Sequence, residues 1–160
     1  MQVNIFAIGR LRDKKEIAIV SRYQDMFSRL GRSRGLGPLG IKELPESKDK
    51  NQINRKNDEA ARLIKASSFH KFIFVLDVRG EFLSSHAFAK KLQGLADEGN
   101  KTCAFIIGGP DGHGDNIFKI KNLQLSLSSF TLSHGLARVV LVEQLYRAAT
   151  ILTGHPYHRE

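Results

Sequence analysis

The chain has 160 residues, of which 41% are hydrophobic and 26% charged. That is one domain's length with enough apolar residue to bury a core, and it excludes wholesale disorder. Its net charge of +9 is spread over both halves, which favours an anionic partner such as RNA or DNA, and its single cysteine, Cys103, excludes an intramolecular disulfide and any cysteine-based zinc site.

In chain order, residues 3–8 are β-rich and stop at Gly9, predicting a first strand. Residues 13–30 carry Ile17, Val20, Met26, Phe27 and Leu30 at helical spacing. A short strand is expected over 39–44. Residues 47–68 open polar and become helical around Ala60, Leu63 and Ile64. Residues 71–77 are almost continuously apolar, the pattern of a strand buried on both faces. Ser84 or Ser85 can cap a helix that runs to about Glu98 and stops at Gly99. Residues 102–107 form another buried strand, Cys103 within it reading as core, and Gly108-Gly109-Pro110 follows. A short helix is expected over 116–121, a fifth strand over 123–127, and a long helix from Ser133 to about Leu152, closed by Gly154 and Pro156.

Strands alternating with helices predict a single α/β domain over residues 1–160, with a mainly parallel sheet covered on both faces. Ligands of such sheets bind beyond the carboxyl ends of the strands. Here those ends are Leu76-Asp77, Gly108-Gly109 and the stretch after Leu127, all in the C-terminal half.

Gly35-Leu36-Gly37-Pro38-Leu39-Gly40 spells a dinucleotide fingerprint, but a basic helix precedes it and a strand follows, so it reads as a loop. Of the six histidines, His155 and His158 are three apart but lie beyond a helix stop with Pro156 between, and no neighbouring carboxylates complete a metal set, so no metal is expected. No apolar signal core opens the chain and no 18-residue apolar run occurs, so a cytosolic protein without a membrane segment is expected. Ser133 is a plausible helix cap. The clusters Arg10/Arg12/Lys14/Lys15, Arg32/Arg34, Lys48/Lys50 and Arg55/Lys56 are the candidate phosphate contacts, each also readable as solvated surface. The terminal Tyr157, His158 and Arg159 combine a ring, an imidazole and a guanidinium, a set able to stack on a base and grip phosphate, although an ordinary tail is the plainer reading.

Taken together and in order, Phe74-Val75-Leu76-Asp77, residues 105–112 (Phe-Ile-Ile-Gly-Gly-Pro-Asp-Gly), residues 125–134 (Leu-Ser-Leu-Ser-Ser-Phe-Thr-Leu-Ser-His), residues 142–148 and the terminal His155-Pro156-Tyr157-His158-Arg159 closely resemble the short SPOUT methyltransferases of the ribosomal large subunit. The resemblance spans the chain, densely over its last 90 or so residues. It implies an α/β-knot fold with a five- or six-stranded sheet and a C-terminal trefoil knot, an exception to unknotted chains. It implies a homodimer that binds S-adenosylmethionine and methylates N3 of a pseudouridine in 23S rRNA, within the large subunit or the whole ribosome. By the same resemblance the cofactor pocket uses Leu76, Gly108, Leu127, Ser128, Ser129, Phe130, Thr131 and Leu132, and the tail of one subunit reaches the site of the other. Tyr157, His158 and Arg159 are the catalytic candidates, His158 as proton acceptor because an imidazole titrates near neutrality. His134 and Arg138 are candidates for the pocket or the dimer face, with core packing the plainer reading of His134. His86 and Gly154 depart from the family pattern, away from the expected pocket. The alternatives are a sister SPOUT enzyme acting on a ribose 2′-oxygen or another base, and a non-catalytic ribosome-associated RNA-binding module.

Overall fold

The computed structural model of the chain describes residues 1–158. Five strands, β1 (Gln2–Ile8), β2 (Leu39–Leu44), β3 (Phe72–Phe82), β4 (Thr102–Ile107) and β5 (Leu123–Ser126), form one sheet in the order β2-β1-β4-β3-β5. Every pairing is parallel, so all five carboxyl ends lie at one edge. Four helices, α1 (Lys14–Leu30), α2 (Gln52–Ser67), α3 (Ser85–Asp97) and α4 (His134–Thr153), make the crossovers and the C-terminal cover. The short helix expected over 116–121 is a 3-10 helix over Asp115–Lys119.

The strands alternate between two buried faces, as the two-residue repeat requires. Val3, Ile5, Ala7, Phe74, Leu76, Cys103, Phe105 and Ile107 face one cluster, filled by Val20 and Phe27 of α1, Phe88 and Leu92 of α3, and Leu141 and Leu145 of α4. Phe74 and Phe105 stack at 4.4 Å, and Phe88 meets both edge-on. Phe6, Ile8, Ile73, Val75, Ala104 and Ile106 face the other, against Ala60 and Leu63 of α2 and Ile117. Cys103 is fully buried, which pushes its thiol pKa up to about 12 and leaves it inert.

Helix ends follow local rules. Asp13, Asn51, Ser84 and Ser133 each accept backbone N–H bonds in the following first turn, and Gly154 closes α4 in the left-handed conformation. Residues 31–38 are a 3-10 turn and loop entering β2, so the glycine fingerprint has no helix to open.

One departure from expectation shapes the site. β3 does not end at 77. Its ladder with β5 pairs Leu76 with Leu125, then Glu81 with the same Leu125, so residues 77–80 loop out as an extended bulge. Gly80 makes this feasible: a Cβ there would lie 2.5–2.7 Å from the backbone of Leu125 and Ser126.

Candidate functional site

A cavity of about 720 Å³ opens at the carboxyl edge of β3, β4 and β5. Three loops build it. The β3 bulge contributes Leu76, Asp77 and Val78, the turn after β4 contributes residues 107–113, and the chain after β5 contributes Leu125 through Ser128 and residues 130–134, with Ala137 of α4 behind. The lining is mostly apolar in surface, and it also carries glycine backbone, several hydroxyls, the carboxylates of Asp77 and Asp111 and the imidazoles of His113 and His134.

The turn after β4 is tight: the Gly112 amide donates to the Gly109 carbonyl at 2.9 Å, and Gly112 takes φ +82°. Packing behind the turn is close at both glycines. A Cβ on Gly109 would meet Glu59 Oε2 at 2.6 Å, and one on Gly108 would meet the His113 ring at 3.0 Å. Asp111 is held by Arg55 (Nε to Oδ2, 2.8 Å) and by Gln52, which keeps its carboxyl below the ordinary value. Arg55, expected as a phosphate contact, is therefore engaged in fixing this turn.

Because the β3 ladder breaks after Leu76, the Leu76 carbonyl needs another partner. His113 supplies it, Nε2–H donating at 2.9 Å. The ring is buried, so burial holds its pKa below the ordinary imidazole value. Its Nδ1 is left as a buried acceptor with no hydrogen bond among the described residues. On the bulge, burial raises Asp77, but hydrogen bonds from Arg79 (Nε to Oδ1, 3.0 Å) outweigh it, and the carboxyl stays ionised below its usual range.

Glu59, nearly fully buried under Gly109, accepts the Ser47 amide on Oε1 at 2.9 Å. Burial pushes its pKa up, and Oε2 has no hydrogen-bonding partner among the described residues.

The structure thus gathers Leu76, Gly108, Leu127, Ser128, Phe130, Thr131 and Leu132 around one cavity; Ser129 lies in the same loop without lining it. Phe130 is 79% exposed at the rim. His134, half-buried at the first position of α4, lines the cavity and is not core. Arg138 lines nothing. It is buried, reaching Glu43 Oε1 at 2.6 Å and the carbonyls of Ile8 and Gly9 at 2.8 and 2.6 Å. His113 and Val78 were missed from the sequence, whereas Asp77 had been marked only as the end of its strand. The only signal for His113 was its place directly after the glycine turn.

The tail sits elsewhere. Tyr157 donates its hydroxyl to Glu143 Oε1 at 3.0 Å and meets the Tyr23 hydroxyl at 3.0 Å, with its ring against Tyr146 and Arg147. Burial and then those two hydrogen bonds raise its pKa. His158 Nδ1 lies 3.4 Å from Arg147 Nη1, a donor, and its ring meets His86 edge-on at 4.7 Å. His86 therefore touches the tail, although it does not line the cavity. Neither Tyr157 nor His158 lines the cavity of its own chain. Arg159 lies outside the described residues. Among the described residues no group of three His, Cys, Asp or Glu could hold a metal ion, and no helix is long and apolar enough to cross a membrane.

The family model described as "Predicted SPOUT methyltransferase" matches residues 1–158. The chain is 43% identical over 159 residues to a Brucella anthropi protein named ribosomal RNA large subunit methyltransferase H, covering 99% of each chain. A Rhizobium etli protein of the same name is 42% identical at the same coverage. Among solved structures, a methylase family protein of Haemophilus influenzae Rd KW20 superposes with TM-score 0.54 at 12% identity, over 99% of this chain and 70% of that one. One from Neisseria gonorrhoeae gives 0.53 at 13%, over 99% and 86%. At such identities these two speak to the fold.

Proposed function

The chain belongs to the SPOUT methyltransferase family, and from that premise we propose that it is an rRNA methyltransferase that carries a methyl group from S-adenosylmethionine to N3 of a pseudouridine in large-subunit ribosomal RNA, acting in the cytoplasm as a homodimer. The observation that carries this is the three-loop cavity at the carboxyl edge, in a chain that matches large-subunit rRNA methyltransferases from end to end.

The residues present fit an adenosyl group. The volume falls within the range of about 300–1,000 Å³ common to small-molecule sites. Leu76, Leu127 and Leu132 offer apolar surface to a purine, while Ser128, Thr131 and the backbone of Gly108 offer polar groups to its edge. When bound, S-adenosylmethionine supplies an electrophilic methyl carbon, so the hard chemistry is the cofactor's. The protein must present N3 in line with that carbon and accept the N3 proton. A stacked base cannot reach the cavity, so it has to leave its helix.

Tyr157, His158 and Arg159 are our candidates for the RNA end: Tyr157 to stack on the base, His158 to take the proton, Arg159 to hold phosphate or developing negative charge. Within one chain Tyr157 docks beside Glu143 and Tyr146, six to nine residues along α4 from Ala137 at the cavity wall, roughly 9–14 Å at the helical rise. That offset favours a tail serving the cavity of a second copy. Exposed Leu136 and Phe130 beside the cavity supply apolar surface for such a dimer.

The test is nucleoside mass analysis of 23S rRNA from a strain lacking the gene, with and without a restoring copy. Loss and recovery of a base-methylated pseudouridine is expected. Loss of a 2′-O-methyl nucleoside instead assigns the protein to the sister chemistry, and an unchanged profile removes the enzymatic reading.

A further inference from the structure

We propose that the RNA docks on a cationic rim built by the loops that follow β1 and β2, with Arg10, Arg12, Lys14 and Lys15 on one and Lys48 and Lys50 on the other. This rests on the methyltransferase reading above and adds where the polynucleotide lies. All six side chains belong to exposed residues. β1 pairs with β4 through Ala7 and Ile107, so the chain leaving β1 emerges beside the glycine turn of the cavity. β2 is the next strand outward, placing its loop two strands, about 10 Å, from that of β4.

Both loops are fastened to the cavity wall. Glu16, in the first turn of α1, packs its carboxylate against Gly135, beside His134 and Ala137 of the lining. Leu11 donates its amide to Glu43, the carboxylate that also holds Arg138 of α4. On the other side, Arg55 bridges the carbonyls of Asp49 and Lys50 to Asp111 of the turn. The clusters are thus positioned relative to the site by defined contacts.

Their placement is also locally unfavourable. Lys14 and Lys15 occupy the first turn of α1, the positive end of the helix dipole, where Glu16 is the only acid. Cations there cost the free protein stability unless an anion completes the site. Across residues 9–15 and 45–50, six cations face three carboxylates, Asp13, Glu46 and Asp49. Asp13 already accepts the Lys15 and Glu16 amides, and Asp49 the Asn51 amide. By contrast Arg32 and Arg34, equally exposed, follow α1 at the opposite edge of the sheet, where Gly37 donates to the carbonyl of Met1. The structure therefore separates clusters that looked equivalent in the sequence.

The experiment compares the full-length protein with three variants: Arg10→Gln/Arg12→Gln/Lys14→Gln/Lys15→Gln, Lys48→Gln/Lys50→Gln, and Arg32→Gln/Arg34→Gln as a charge-matched control at the far edge. Methyl transfer to ribosomes and large subunits from the deletion strain is measured from low to moderate salt, and S-adenosylmethionine affinity by calorimetry. Each rim variant should lose at least about tenfold in kcat/KM at moderate salt and show a shallower salt dependence, with cofactor affinity unchanged and the control near the parent protein. Equal loss in the control, unchanged transfer by the rim variants, or loss of cofactor affinity in step with transfer would each overturn the docking surface while leaving the enzyme intact. A parent protein that binds cofactor but methylates neither particle defeats the functional reading itself, and the docking surface with it.

Discussion

The imidazole of His113 donates its Nε2–H to the carbonyl of Leu76 at 2.9 Å, tying the turn after β4 to the point where the β3 ladder breaks. Two of the three loops around the cavity are held in register by this one bond. Nδ1 then carries no proton, and burial favours that neutral form.

A pH dependence follows. The folded-state pKa of His113 lies below its ordinary value of 6.5, so the unfolded chain binds the proton more readily. The associated stability is complete above about pH 6.5 and is lost as pH falls from there through the folded-state value. His113→Gln keeps an N–H donor for Leu76 but does not titrate in this range. Urea midpoints measured at pH 7.5 and 5.5 should therefore fall further for the parent than for the variant. Parallel shifts would show that another group carries the acid sensitivity.

Arg138 should be among the most costly side chains to truncate. Its guanidinium joins α4 to the carbonyls of Ile8 and Gly9 and to Glu43, with 1% of the side chain exposed. Arg138→Leu leaves those acceptors without a donor, a loss of about 3 kcal/mol in a urea titration. Half-exposed Glu43 can rehydrate, which limits the cost. Arg138→Lys should restore only part of it, because an ammonium cannot reproduce the fork that spans three acceptors. A change under about 0.5 kcal/mol for Arg138→Leu would mean that water replaces the clamp.

The sheet and helices were legible because their signals are local. Val3, Ile5 and Ala7 against Phe6 and Ile8 encode two buried faces by simple alternation, and Asp13, Ser84, Ser133 and Gly154 mark helix ends with their own chemistry. The cavity loops were legible mainly through family resemblance, since glycine turns and alternating Leu and Ser are common. What stayed hidden depends on partners far apart in sequence. Nothing near His113 announces Leu76, nothing near Arg138 announces Gly9, and nothing near Gly80 announces the backbone of Leu125. The far-edge position of Arg32 and Arg34 likewise becomes visible only once α1 is laid across the sheet.

Gly80 offers a paired test of the bulge. Gly80→Ala drives a Cβ into the backbone of Leu125 and Ser126, which cannot yield as a flexible side chain would. Overpacking of this kind costs about 1–3 kcal/mol, and it displaces the segment leading into the third cavity loop. Gly94→Ala, in α3 with no atom near the new methyl, should instead stabilise by up to about 1 kcal/mol through helix propensity. Thermal melts compare the two, and calorimetry with S-adenosylmethionine should show weakened binding only for Gly80→Ala. Unweakened binding would mean that the bulge can move without disturbing the pocket.

The tail can be separated from the fold. Its described contacts include Tyr157 with Glu143, Tyr23, Tyr146 and Arg147, and His158 with Arg147 and His86; of these partners only Tyr146 belongs to the core, where it stays packed against Tyr23 of α1. A chain ending at His155 should keep its circular dichroism spectrum and its affinity for S-adenosylmethionine while losing methyl transfer by at least about 100-fold, the lower range for a missing proton acceptor. Tyr157→Phe is the finer probe. It keeps the ring against Tyr146 but gives up the bonds to Glu143 and Tyr23, costing about 1 kcal/mol. If those bonds hold the tail at the angle needed to reach a neighbouring cavity, kcat should drop without a change in cofactor affinity. Full activity in the shortened chain would take Tyr157, His158 and Arg159 out of the mechanism and return proton removal to groups inside the cavity.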